Sequence, residues 1–178
     1  MNVERCEGVY DPDDDSYLML NIDDVKGNVL DLGSGTGIVG IHYSKKGCNV
    51  TSSDISREAV RCTRINSMGE GLKINVVRAD LLTSIKGHFD FCLFNPPYLP
   101  DEEPNDPSWS GGIQGTDLIY RFISSCWDNC DIVYLIESSL APIERDVFRE
   151  LKMDIVRNIN YEFEELHLVR LVKDAQYR

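Results

Sequence analysis

A doubly wound α/β fold with a mostly parallel sheet is predicted for this chain by three observations. Short apolar runs alternate with amphipathic segments along the whole length, the pattern of consecutive β-α units with right-handed crossovers. A glycine-rich turn, Gly33-Ser34-Gly35-Thr36-Gly37, follows the first apolar run. Acids at Asp31, Asp54 and Asp80 mark the ends of three successive runs, and Asn95-Pro96-Pro97-Tyr98 closes the fourth. In open α/β sheets the carboxyl ends of the strands are where ligands bind.

The elements follow in order. Residues 14–25 carry apolar side chains at Tyr17, Leu18, Leu20, Ile22 and Val25 with acids in the first turn, which predicts a short helix. Residues 28–32 are a strand, and 37–46 a helix stopped by Gly47. Residues 48–53 form the second strand, ending at Asp54. Residues 56–68 form a helix with Ser56 as N-cap and Gly69 as its close. The third strand covers 74–79 and the fourth 89–95. A loop of residues 96–115 follows, rich in proline and glycine, and loops of that length are functional or disordered. Then come a helix over 116–127, a strand over 132–136 and a helix over 142–152 with Pro142 at its start. Residues 155–163 and 166–172 read as an antiparallel pair at one edge, for a seven-stranded sheet in all.

The 178 residues suit a single domain, 1–178, with a substantial core. At 42% hydrophobic and 27% charged residues the composition is that of a soluble globular protein. No run is long enough to span a bilayer, and the opening Met1-Asn2-Val3-Glu4 is unlike a secretory signal. The six cysteines lack the paired spacing of a zinc site, so no metal is expected. Cys126 and Cys130, one helical turn apart, read as helix-face thiols. Reduced cysteines point to the cytoplasm or the nucleus. A net charge of −12 argues against unaided nucleic-acid binding, which calls for a basic stripe facing the phosphates. The densest basic stretch, Arg57 to Arg64, has helical spacing and reads as one solvated face.

Around the glycine turn, three features point to a nucleotide-type ligand. Glycines allow close backbone approach and positive φ, the following helix start offers unpaired N–H groups, and Asp54 is placed to accept from a ribose diol. A dinucleotide requires G-x-G-x-x-G, which residues 35–40 match as a string. Gly33 and Ser34 nevertheless intervene before its first glycine. Asp31 is also unfavourable beside a pyrophosphate but favourable beside a sulfonium and an ammonium. S-adenosyl-L-methionine is therefore preferred over NAD. Asn95, Pro96 and Tyr98 supply a carboxamide, a free carbonyl and an aromatic ring after a stiff Pro-Pro stop. Such a set can orient a planar nitrogen for methyl transfer, with no His or Cys nucleophile required. His42, His88 and His167 read as ordinary structural residues.

In their order, Asp31 to Gly37, Asp54, Arg78-Ala79-Asp80-Leu81 and Asn95 to Tyr98 resemble the class I S-adenosylmethionine-dependent methyltransferases that modify nitrogen. The opening Val9-Tyr10-Asp11-Pro12-Asp13-Asp14-Asp15-Ser16-Tyr17-Leu18 resembles the Val-Tyr-Glu-Pro-Ala-Glu-Asp-Ser/Thr-Phe/Tyr-Leu start of the HemK-like glutamine methyltransferases. It is closest to their eukaryotic and archaeal release-factor branch, which the Gly111-Gly112 loop and the Thr116 helix also fit. The resemblance implies a Rossmann-like fold and cofactor contacts from Ser16, Asp31, Gly33, Gly35, Gly37, Asp54, Asp80, Leu81 and Asn95, with Tyr10 and Asp15 near the pocket. It implies N5-methylation of the glutamine in the Gly-Gly-Gln motif of a class-1 translation release factor. The alternative acceptors are a lysine, as in a histone, or adenine N6. The opening is more acidic than the family pattern, at Asp11, Asp13 and Asp14, and the N-terminal helical domain of the bacterial enzymes has no counterpart here. The resemblance further implies a small zinc-binding activator protein that pairs by strand addition with a sheet edge at Ile74-Asn75-Val76-Val77.

Overall fold

The computed structural model describes residues 3–98 and 116–177. Seven strands form one sheet in the order β3-β2-β1-β4-β5-β7-β6. They are β1 (Asn28–Leu32), β2 (Asn49–Asp54), β3 (Asn75–Arg78), β4 (Phe89–Phe94), β5 (Cys130–Ser138), β6 (Leu151–Asn160) and β7 (Glu165–Lys173). The first five run parallel, β7 is antiparallel to β5, and β6 pairs with β7 as the far edge. Among the described residues four α-helices accompany them: α1 (Asp14–Met19), α2 (Ile38–Lys45), α3 (Arg57–Gly69) and α4 (Asp117–Ser125). The expected α/β architecture is therefore present, with β3 at one edge of the sheet.

Alternation along β4 divides the core between two faces. Cys92 and Phe94 pack with Ile119, Phe122 and Ile123 of α4. Phe91 and Leu93 pack with Leu18 and Met19 of α1 and with Ile38, Val39 and Tyr43 of α2. The Phe94 and Phe122 rings meet edge to face, centroids 4.9 Å apart. Both faces are covered, so β4 and β5 are buried along nearly their whole length.

Four expectations are corrected. The helix read over residues 14–25 stops at Met19. Asn21 turns its side-chain amide back to the Tyr17 carbonyl (2.8 Å), and Ile22 and Val25 enter the core from a loop instead. The helix read over 142–152 is a single 3-10 turn, Arg145–Phe148. Its backbone is diverted: Ile143 N donates to the Glu137 carboxylate (3.1 Å), while residues from Leu151 onward join β6 against β7. Finally, Cys6 and Cys62 form a disulfide across 56 residues, Cα atoms 6.0 Å apart, where free thiols were expected. Cys126 and Cys130 do not share a helix face: one follows α4, the other opens β5, and both are buried. Arg57, Arg61 and Arg64 are exposed, as the solvated-face reading requires. Among the described residues no helix is long and apolar enough to cross a membrane.

Candidate active site

Strand register brings the sequence-predicted residues to one end of the sheet. Leu32 pairs with Phe94 on one side and with Ser53 on the other, so Gly33 emerges between Asn95 and Asp54. A Cβ at Gly33 would lie 3.4 Å from the Phe94 ring and 3.7 Å from the Asn95 carbonyl oxygen. Those are ordinary contact distances, so it is the backbone angle, φ of +67°, that favours glycine at this position.

The glycine turn is held from below by α3. Thr63 donates to the Gly35 carbonyl (3.0 Å) and its hydroxyl meets that of Ser34 (2.9 Å). Asp54, at the end of β2, accepts from Gly35 N (3.0 Å) and, with its other oxygen, from Ser56 N (2.8 Å). Burial raises its carboxyl above the usual range, and the backbone bonds oppose the rise. Asp31 lies deeper still. One oxygen accepts from Gly40 N (3.1 Å) and Ser52 Oγ (3.0 Å). Burial nevertheless pushes its carboxyl up to about 7, with the Asp54 charge adding to the rise. A buried carboxyl that titrates near neutrality is poised to answer a nearby cation. Gly40 is thus a packing residue: a Cβ there would collide with Ser52 Oγ and sit 2.8 Å from Asp31 Oδ2.

Asp80 and Leu81 lie on the rim. Asp80 Oδ2 pairs with Arg121 of α4 at 3.0 Å, both side chains largely exposed. Leu81 takes φ of +49°, the one non-glycine residue with positive φ among those described. A side chain in that conformation marks local strain held by its surroundings.

A second cluster stands beside the first. Asp15, buried at the start of α1, accepts from Tyr10 Oη (3.1 Å), Tyr98 Oη (3.3 Å), Ser16 Oγ (3.1 Å) and Ser16 N. Burial first, and the Asp15 charge second, hold both phenols well above the ordinary tyrosine range, so they remain donors at physiological pH. Pro96 is buried between the clusters. Asn95 Oδ1 is also buried, and it has no hydrogen-bond partner among the described residues. Burying a carboxamide oxygen without a donor costs on the order of 1–3 kcal/mol, so this one is positioned to receive a donor from outside the chain.

Sequence reading missed the supports rather than the centre. Thr63, Ser34 and Asn66, which fasten the glycine turn to α3, carry no signal in their spacing. Arg121 as the partner of Asp80 was equally invisible. His88 pairs with Asp131, and His167 with Glu137 and Glu165. The 99–115 stretch, with Gly111-Gly112, lies outside the described residues. Among the described residues no group of three or more His, Cys, Asp or Glu is placed to hold a metal.

Comparison with known proteins agrees with the fold class. Residues 8–108 match the methyltransferase small domain family. A Methanocaldococcus jannaschii protein named as a protein N5-glutamine methyltransferase is 33% identical over 178 residues, covering 90% of each chain. The release factor glutamine methyltransferase of Deinococcus radiodurans is 38% identical over 86 residues, 46% of this chain and 31% of that protein. Among solved structures, the Mtq2-Trm112 complex of E. cuniculi, described as responsible for methylating the eRF1 translation termination factor, aligns with a TM-score of 0.75. It is 28% identical and covers 93% of this chain and 99% of that one.

Proposed function

Because this chain belongs to the methyltransferase small domain family and, within it, to the HemK-like protein N5-glutamine methyltransferases, we propose that it methylates the glutamine nitrogen of the Gly-Gly-Gln motif in a class-1 release factor. One observation supports a nitrogen acceptor, the buried Asn95 Oδ1 without a partner among the described residues, and the N5-glutamine relative supports glutamine as that acceptor. An amide NH2 offers the donors that oxygen lacks.

The residues fit the methyl donor of the family, S-adenosyl-L-methionine. Three glycines with positive φ, at 33, 35 and 37, open the turn to a ligand. Asp54 would hold the ribose hydroxyls, Asp31 would face the cationic portion, and Asp80 with Leu81 would border the base. Ser16 lies at the same mouth through its bonds to Asp15. When bound, the cofactor supplies an electrophilic methyl on a positively charged sulfur. The chain's own work is orientation. Asn95 Oδ1 accepts one N–H of the target amide and the Pro96 carbonyl the other, which turns the nitrogen lone pair toward the methyl group. The same two oxygens stabilise positive charge as it grows on nitrogen. Tyr98, tethered by Asp15, walls the acceptor from water.

The partner reading rests on the edge position of β3, on the resemblance, and on the two-chain composition of the Mtq2-Trm112 structure. A small zinc-binding activator would add a strand along Asn75–Arg78, which has β2 alone as a neighbouring strand among the described residues and whose Val76 carbonyl is held by the Arg64 side chain. Such a complex would work in the cytoplasm, where release factors act, and in the nucleus.

The deciding experiment is transfer of labelled methyl to a release factor and to its Gln→Ala variant, with and without activator. Label confined to the native glutamine supports the proposal. Equal labelling of the variant, or label only on lysine or adenine substrates, defeats it.

A further inference from the structure

The Cys6–Cys62 disulfide lies in a strategic place. Residues 4–10 form a strap that crosses α3 and ends at the acceptor wall. Glu4 N and O are both held by the Asn66 side chain (2.9 and 3.1 Å), and the same Asn66 amide reaches the Thr36 carbonyl of the glycine turn (2.9 Å). Val9 lies 4.0 Å from the Cβ position of Gly35, and Tyr10 bonds to Asp15. Cys62 immediately precedes Thr63, the residue that fastens Gly35 and Ser34. One turn of α3 therefore grips the strap through Cys62 and Asn66, and the glycine turn through Thr63 and Asn66. Noncovalent support thins between the Glu4 and Tyr10 anchors: Glu7 and Gly8 are exposed, and the Arg5–Asp11 ion pair is open to solvent.

We propose that Cys6–Cys62 is a redox latch that fixes the strap over the glycine turn and thereby sets how tightly the nucleotide cofactor is held. The proposal rests on the cofactor reading above. With the bond closed, the strap and the turn are ordered before the ligand arrives, and less conformational freedom is lost on binding. With the bond open, the strap frays and the turn loses its cover. The chemistry is thiol–disulfide exchange with a low-molecular-weight thiol such as glutathione. Its thiolate attacks Sγ of Cys6, which is partly exposed, and the Cys62 sulfur leaves with the bonding pair and takes a proton. A second glutathione then releases Cys6. Two glutathione thiols are oxidised to one disulfide, and two protein thiols appear. Closure runs in reverse with glutathione disulfide as oxidant. Of the four remaining cysteines, Cys92, Cys126 and Cys130 are buried in the core, and the partly exposed Cys48 lies against Val25, away from the strap.

The test uses the full chain equilibrated in glutathione buffers of graded ratio. Alkylation after denaturation should find four free thiols in oxidising buffer and six in reducing buffer. Amide exchange across residues 4–10 should quicken on reduction. S-adenosylhomocysteine, measured by calorimetry, should bind at least about threefold more weakly to the reduced form. Cys6→Ser should match the reduced form in both readouts and ignore the buffer ratio. Six thiols in every buffer, or a Cys6→Ser chain that still follows the ratio, overturns the latch. So do unchanged exchange and affinity with ligand binding intact. Redox-dependent exchange with no ligand binding in any form instead overturns the cofactor reading, and the link to affinity with it.

Discussion

Tyr98 donates its phenol proton to Asp15 Oδ2 across 3.3 Å, joining positions 83 residues apart. The bond fixes Tyr98, the wall of the proposed acceptor mouth, to the first turn of α1. The same carboxylate takes the Tyr10 phenol, so the two tyrosines share one anchor. The resemblance sets Asp15 near the cofactor pocket; on the proposed reading its bond to Tyr98 gives it a second task, holding the acceptor wall. Asp15→Ala strands two phenols at about 1 kcal/mol each, so kcat/KM for the protein substrate should fall about tenfold or more while cofactor affinity stays within about twofold. Calorimetry beside steady-state kinetics separates the two effects. A selective loss of cofactor affinity would return Asp15 to the cofactor pocket.

Asn95→Ala removes a carboxamide oxygen that has no partner among the described residues. Its interaction with the acceptor strengthens as charge develops on nitrogen, so kcat should drop about 100- to 1,000-fold. The dissociation constant of S-adenosylhomocysteine should change little. Turnover equal to the parent at saturating substrates would remove Asn95 from the mechanism.

Asp31 yields a pH signature. Burial raises its carboxyl to about 7 in the folded chain, whereas an unfolded chain releases that proton near about 3.9. Between those values the native state binds more protons than the unfolded state, so this group's contribution to stability is complete below about pH 4 and lost as pH rises to about 7. Asp31→Asn cannot titrate and should flatten that part of the denaturation profile. A bound cation favours the ionised form, so cofactor affinity should climb by up to about tenfold per pH unit from about pH 5.5 to 7, then level off. Calorimetry in buffers of different ionisation heat should register proton release near pH 6. Identical pH slopes in parent and Asp31→Asn would exclude this residue as the source.

What could be read in advance was what depends on near neighbours. Residues 89–95 announce a buried strand because Phe91 and Leu93 face one layer while Cys92 and Phe94 face the other, and β4 follows that alternation. That Gly33, Asp54 and Asn95 come together was legible because a parallel sheet collects its strand ends on one side. The errors came from partners distant in sequence. Residues 142–152 have helical composition, but Glu137 captures the Ile143 amide and β7 recruits Leu151 as a strand. Thr63 looks like any helix-interior threonine until the glycine turn is laid against it. Cys6 and Cys62 meet only because the strap crosses α3.

Gly40 tests how closely α2 must approach β1 and β2. Its amide donates to Asp31, and a methyl group there would press on Ser52 Oγ and Asp31 Oδ2. Both atoms belong to buried side chains on strands paired at Asp31 and Ser52, so neither has room to retreat. Gly40→Ala is a helix-interior exchange that would ordinarily stabilise by about 0.5–1 kcal/mol. Here overpacking should reverse the sign, with a net loss of about 1–3 kcal/mol in chemical denaturation. The displaced Asp31 carboxylate should also weaken cofactor binding, measurable by calorimetry on whatever fraction remains folded. Combining the change with Ser52→Ala clears one of the two colliding atoms, so the double variant should recover part of the lost stability. A Gly40→Ala chain as stable as its parent would mean that α2 can slide outward, and that Asp31 needs no amide from it.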